Sequence, residues 1–276
     1  MQKSKYPIIS CRMSDGSSVK IEHRPYLDST TSLARDYAQA GYPDRYVIFT
    51  EMQSTSPIVG TKLSEAEFER GVFVSCILRP AFFPSQAGLI GPLSAVALLT
   101  ALEEHTTKAL GIGWVCDIFC EGDKIGGCAI EGKLDSYSSY EYMIVSFAVR
   151  TDDTNFPPRL TDMIRKVFEI ENESIGMLIA KNILNKFFTV YGSLKNPGKY
   201  MDTYKRRFIL VGKKIKYIQA DKKKSCRVVD VDKDTCTLTV ETAGGEKKRI
   251  TSPSGVIIPR KIKLDKKKTD KTNSDQ

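Results

Sequence analysis

The sequence predicts an α/β fold of the α+β kind: a mixed, mainly antiparallel sheet with flanking helices, followed by a small SH3-like β barrel. Two observations carry this expectation. As far as Tyr191, short runs rich in β-branched and aromatic residues alternate with stretches whose apolar residues repeat at helical spacing. Beyond Asn196-Pro197-Gly198 the pattern changes to short strands separated by turn residues, at intervals that suit a small barrel. With 276 residues the chain has room for one large or two modest domains. The expected division is residues 1–203, then 204–260, then a Lys-rich tail, 261–276, expected to be disordered.

Taken in order, Asp28-Ser29-Thr30-Thr31-Ser32 supplies N-cap chemistry before Leu33, Ala34, Tyr37 and Ala38, so a helix ending near Gly41 is expected. Arg45 to Glu51 and Val72 to Arg79 read as strands. Apolar residues from Leu89 to Leu102 suit a long, largely buried helix between Gly88 and Ala109. Ile112 to Cys120, a turn at Glu121-Gly122-Asp123, and Lys124 to Leu134 read as a hairpin, with Tyr140 to Arg150 as the next strand. Two helices are expected at Leu160 to Ile170 and Ser174 to Tyr191. Six strands follow: Phe208 to Val211, Lys214 to Gln219, Cys226 to Val231, Thr235 to Glu241, Lys247 to Ile250 and Val256 to Ile258.

Composition narrows the function. The net charge is +9, yet residues 204–276 carry 21 lysines and arginines against 9 acids, leaving 21 against 24 before them. Such asymmetry raises an acidic or nucleic-acid partner for the C-terminal part, although turns and a tail account for most of it. Seven cysteines without a C-x-x-C pair read as reduced, buried thiols, and only His23 and His105 are available, which excludes a His-rich metal centre. No metal site is expected. The longest apolar stretch, near Ala87 to Leu102, is too broken for a membrane span, and no signal peptide opens the chain, so a cytoplasmic protein is expected.

Four segments resemble the biotin protein ligase family, within the wider biotinyl and lipoyl ligase fold. Leu27-Asp28-Ser29-Thr30-Thr31 is similar to the Ser-Thr-Asn segment that opens the family's first helix. Phe49-Thr50-Glu51-Met52-Gln53 is similar to Ala-Glu-x-Gln. Trp114 and Asp117 stand where the family has Lys-Trp-Pro-Asn-Asp, and seven residues later Asp123-Lys124-Ile125-Gly126-Gly127 resembles Arg-Lys-Leu-Ala-Gly. Tyr204 to Gly212 and Ser252 to Val256 resemble the ends of the family's small C-terminal β domain. The resemblance covers about Tyr26 to Arg260. It implies a ligase-like catalytic domain over 1–203, without the N-terminal DNA-binding domain that some members carry.

The implied reaction joins biotin to ATP with Mg, giving biotinyl-5'-AMP, and passes the biotin to a lysine of a biotin carboxyl carrier protein. The resemblance implies Lys124 and Asp117 as catalytic residues. It implies Ser29, Thr30, Thr31, Gln53, Trp114, Gly126 and Gly127 as biotin-binding, and Lys62, Lys124 and Gln53 as nucleotide-binding. A homodimer is a further implication. The family's Gly-Arg-Gly-Arg-x-Gly loop, however, falls in register with Ser54-Thr55-Ser56-Pro57-Ile58-Val59-Gly60-Thr61-Lys62. Lost guanidinium contacts of about 1.5–3 kcal/mol each point to weaker adenylate retention. The alternative is therefore a catalytically impaired relative acting as a binding or interaction protein. Lipoyl or octanoyl transfer on the same fold is a third reading.

Overall fold

The computed structural model describes residues 5–54, 69–150, 174–219 and 221–263. Lys62, the helix expected at Leu160 to Ile170, and the tail beyond Lys263 lie outside them. An eight-stranded sheet runs in the order β1-β2-β3-β4-β8-β7-β6-β5. Its strands are β1 (Ile8–Arg12), β2 (Ser18–Arg24), β3 (Tyr46–Gln53), β4 (Glu69–Leu78), β5 (Leu110–Gly113), β6 (Asp117–Cys120), β7 (Asp123–Leu134) and β8 (Tyr140–Arg150). Only β2 and β3 pair in parallel; α1 (Thr30–Gln39) makes the crossover between them, and the other neighbours pair antiparallel. The mixed, mainly antiparallel sheet with flanking helices is thus as the sequence predicts.

Helices cover both faces because strand residues alternate between them. On one face Ala34 and Ala38 of α1 pack with Tyr46, Ile48, Ile77, Tyr142 and Ile144. On the other, Val47, Phe49, Val72, Val74, Val145 and Phe147 join a larger core with α2 (Ile90–Glu103), α3 (Ile175–Tyr191) and α4 (Gly198–Arg207). The α2 window Gln86–Glu103 is apolar enough for a membrane span by composition, at mean hydropathy 1.3, but 61% of it is buried inside the protein. Ser174 caps α3, its hydroxyl accepting from the Met177 N–H at 3.1 Å.

A second, antiparallel sheet of five strands has the order β12-β11-β10-β9-β13. It comprises β9 (Lys214–Gln219), β10 (Lys222–Val231), β11 (Leu238–Thr242), β12 (Lys247–Ile250) and β13 (Val256–Ile257). These are five of the six strands expected for the C-terminal barrel.

The structure differs from expectation at four places. The strand expected at Phe208 to Val211 is absent: Phe208 makes a single bridge to Ile112 after α4, an unforeseen helix that runs through residue 203. Its buried Tyr200, Met201 and Tyr204 fall at helical spacing but are masked by the charge of Lys205-Arg206-Arg207. The expected Ile112 to Cys120 strand is two strands, β5 and β6, that turn back on each other around Trp114 to Cys116. The buried helix stops at Glu103, six residues early, as the polar Glu104-His105-Thr106-Thr107 ends the apolar run, with only His105 of the four buried. Finally, the hairpin of β1 and β2 adds two strands that were not foreseen.

Candidate functional site

The α1 face of the sheet carries a strip of chemistry. Gln53 reaches that face through a β-bulge between Thr50 and Met52, which restores it to the side occupied by Thr50. The chain before α1 runs alongside: Leu27 N–H donates to the Met52 carbonyl at 3.0 Å and Ser54 N–H to the Leu27 carbonyl at 3.1 Å. That placement sets the first turn of α1 over Gln53. The Gln53 side-chain carbonyl accepts from both the backbone N–H of Thr30, at 2.8 Å, and its hydroxyl, at 3.0 Å. Ser75 donates to the Thr30 hydroxyl at 2.9 Å and stands 2.8 Å from the Ser146 hydroxyl, to which Thr31 also donates at 2.8 Å.

All five side chains of this cluster are buried. Burying so many polar groups is tolerated because each has a partner. Ser75 on β4 and Ser146 on β8 face each other in strand register. Neither was singled out as a site residue from the sequence. The signal was available: each is a lone hydroxyl in an apolar strand, Val72-Phe73-Val74-Ser75-Cys76-Ile77 and Met143-Ile144-Val145-Ser146-Phe147. Arg35 of α1 closes this end with a bidentate pair to Glu131 of β7, both bonds at 2.7 Å.

Two residues further along the same face, the register Phe73, Ala148, Gly127, Asp117 crosses four strands. It ends in an ion pair: Lys124 Nζ lies 2.6 Å from Asp117 Oδ1. From Ser146 to Asp117 is two strand spacings and one two-residue step, roughly 12 Å. Burial pushes the Asp117 carboxyl above its ordinary pKa, against the Lys124 ammonium, which pulls it down. Gly127 and Gly126 are required by close approach: a Cβ on Gly127 would stand 2.8 Å from the Cys116 carbonyl, and one on Gly126 2.6 Å from the Ala148 carbonyl.

The turn that presents Lys124 is held by residues 260–262, after β13. Lys124 N–H donates to the Arg260 carbonyl at 2.8 Å, and Ile262 N–H to the Gly122 carbonyl at 2.7 Å. Glu121 and Gly122 both take left-handed backbone there.

The structure therefore brings Thr30, Thr31, Gln53, Gly127, Asp117 and Lys124 onto one face of the sheet. It places three expected residues differently. Gly126 is in register with Val149 and Ile118, whose side chains belong to the opposite layer. Ser29 is the N-cap of α1, its hydroxyl accepting from Ser32 N–H at 3.2 Å. Trp114 is buried in the core of the opposite layer, its indole N–H donating to the Cys236 carbonyl at 2.7 Å. Its neighbourhood belongs to the junction with the C-terminal sheet, where the Tyr204 hydroxyl also donates to the Val115 carbonyl. Lys62 lies outside the described residues, as does most of the loop around it. Among the described residues no group of three His, Cys, Asp or Glu side chains is placed to hold a metal ion. None of the seven cysteines is in a disulfide.

No family model matches the chain. In sequence it is similar to the bifunctional ligase/repressor BirA of Bacillus subtilis, 24% identical over 150 residues, covering 54% of this chain and 46% of that protein. The chain thus spans about half the length of the curated relatives it matches. In structure it is similar to the biotin protein ligase of Aquifex aeolicus in complex with biotin and ATP. The TM-score is 0.61 at 16% identity, over 86% of this chain and 97% of that one. It is also similar to the biotin acetyl coenzyme A carboxylase synthetase of Helicobacter pylori, with a TM-score of 0.51 at 16% identity over 83% and 99% of the two chains. The fold is that of the biotin protein ligases, and the resemblance read from the four sequence segments is borne out.

Proposed function

We propose that this biotin protein ligase homologue activates biotin with ATP and transfers it to a lysine of a biotin carboxyl carrier protein. The observation that supports this reading is the strip on the α1 face, with a buried hydroxyl and amide cluster at one end and the Lys124–Asp117 pair roughly 12 Å away. A ligand lying along it meets hydrogen-bonding groups at its head and a cation at its carboxylate, with Phe73, Ala148 and Gly127 as the apolar floor between. In the first half-reaction a carboxylate oxygen of biotin attacks the α-phosphorus of ATP. The bond to the β-phosphate breaks and pyrophosphate leaves with its electron pair. In the second, a neutral lysine amine of the carrier attacks the acyl carbon, AMP leaves, and the amine gives up a proton.

Lys124 serves the first step by offsetting negative charge that concentrates as two anions approach. To reach the ligand its ammonium turns from Asp117 to the carboxylate and α-phosphate. Gln53 orients the head of the ligand, exchanging its bond from Thr30. Asp117 is a single carboxylate, enough for a Mg ion that arrives on nucleotide phosphates, since Mg ordinarily takes one or two carboxylates besides phosphates and waters.

A second reading, a non-catalytic relative that binds a partner, is favoured by Pro57-Ile58-Val59 in the register of the adenylate loop. Single-turnover formation of biotinyl-5'-AMP separates the two. The ligase reading expects an adenylate that needs ATP and biotin and falls by about a hundredfold in Lys124→Ala, the loss expected for charge-assisted bonds of up to about 3 kcal/mol. No adenylate at enzyme concentrations in excess of biotin sinks it.

A further inference from the structure

A cavity of about 250 Å³ opens where the C-terminal sheet meets the turn that carries Lys124. Four of its lining residues are lysines, Lys213, Lys214, Lys261 and Lys263, set among apolar Leu210 and Ile262, and among the described residues no acidic one lines it. They come from two segments far apart in sequence: the entry to β9 and the strap after β13. Lys214, Lys261 and Lys263 are exposed, so their ammonium groups are free to turn inward or out. Asp123 contacts the set, its carboxylate oxygens lying 3.3 and 3.4 Å from Lys261 Nζ. Gathering four cations around one concavity raises a positive potential there, which attracts a counter-ion.

The geometry points to a binding site for a small, multiply charged phosphate-type anion in this cavity. Its size decides against a larger ligand, because pockets for drug-sized molecules start near 300 Å³. Lysine is a point-charge donor to phosphate oxygens, and a phosphate or diphosphate accepts from several lysines at once, which a single carboxylate does not. Occupancy reaches the neighbouring turn directly. An anion competes with Asp123 for Lys261, the residue after Arg260, whose carbonyl holds the Lys124 N–H. The inference does not depend on the ligase reading, because the site is formed by residues outside the α1-face strip.

Calorimetric titration of inorganic pyrophosphate into the full chain, without biotin or nucleotide, tests it. Saturable binding is expected, weakened at least about tenfold in the triple variant Lys214→Gln, Lys261→Gln, Lys263→Gln and unchanged in Lys222→Gln, an exposed lysine of β10 that does not line the cavity. Where the triple variant fails to fold, Lys263→Gln alone gives a smaller loss in the same direction. A parallel titration with ATP identifies the source of the anion: the same lysine dependence assigns the site to the phosphate end of a nucleotide. Absence of binding, binding indifferent to the three lysines, or binding weakened as much by Lys222→Gln overturns the proposal.

Discussion

Asp117 is held between two opposing influences. Enclosure among β5, β6 and β7 favours its neutral form, and Lys124 at 2.6 Å favours the charged one, with enclosure the larger. A carboxyl whose folded pKa is raised gives stability that is fully present below its ordinary value of 3.8 and lost as pH rises through the raised value. Asp117→Asn carries no such loss. Denaturation midpoints measured from pH 3.5 to 8 should therefore show the variant gaining on the wild type as pH rises, and a constant difference would contradict the account of Asp117. Lys124→Ala should do the opposite, costing most at high pH, where it leaves an uncompensated, enclosed carboxylate. Lys124, Asp117 and Gln53 were singled out in the sequence through the resemblance of their segments to the biotin protein ligase family; taken alone, Lys124 reads as a solvated turn lysine. The pairing of Lys124 with Asp117 was legible too. The turn of Trp114 away from the strip was not, because its direction is decided by Cys236, 122 residues later.

At the scale of elements, the hydroxyl cluster ties α1, β3, β4 and β8 together through buried bonds. Ser75→Ala removes the donor to Thr30 and a partner of Ser146, and is expected to cost about 1–3 kcal/mol in urea unfolding. A cost near zero would mean that the remaining hydroxyls re-pair. Gly126→Ala pushes β7 against β8, since the new methyl meets the backbone carbonyl of Ala148 at 2.6 Å, and no rotamer change relieves it. A loss of about 1–3 kcal/mol is expected, again read by urea unfolding. The elements themselves were mostly legible: α1, α3, β3, β4, β7 and β8 have strong periodicity or caps. Those missed fail for physical reasons. β1 is a five-residue run with no fully buried residue, β2 interleaves Lys20, the buried Glu22 and Arg24 with Val19 and Ile21, which dilutes its β pattern, and α4 buries only three residues beneath a basic last turn. Ser75 escaped notice because a fully buried strand reads as a continuous apolar run in which one hydroxyl looks incidental.

Across the whole molecule, the C-terminal sheet and its strap hold the β5–β7 region from two sides. One side is Trp114 and Tyr204, bonded at the Cys236 and Val115 carbonyls; the other is the strap at 260–262 on the Lys124 turn. Trp114→Phe keeps the ring packing but strands the Cys236 carbonyl. Its expected cost is about 1–3 kcal/mol, with the Lys124 turn less well fixed. Faster amide exchange at residues 122–124 in that variant would report the coupling, and unchanged exchange would refute it. The two sheets were legible as two runs of strands, one before Tyr191 and one from Lys214. The helix that bridges them was not, nor was the use of the strap as a clamp, because contacts between residues so distant leave no local pattern.

The central claim is that the strip between the hydroxyl cluster and Lys124 holds biotin and then ATP. Calorimetric titration of biotin, followed by ATP with Mg, into the wild type and Lys124→Ala tests it most directly. The account predicts that biotin binds the wild type, that ATP binding depends on biotin, and that both weaken in the variant. Failure of either ligand to bind the wild type at millimolar concentration would contradict it and leave the fold as a scaffold for a partner.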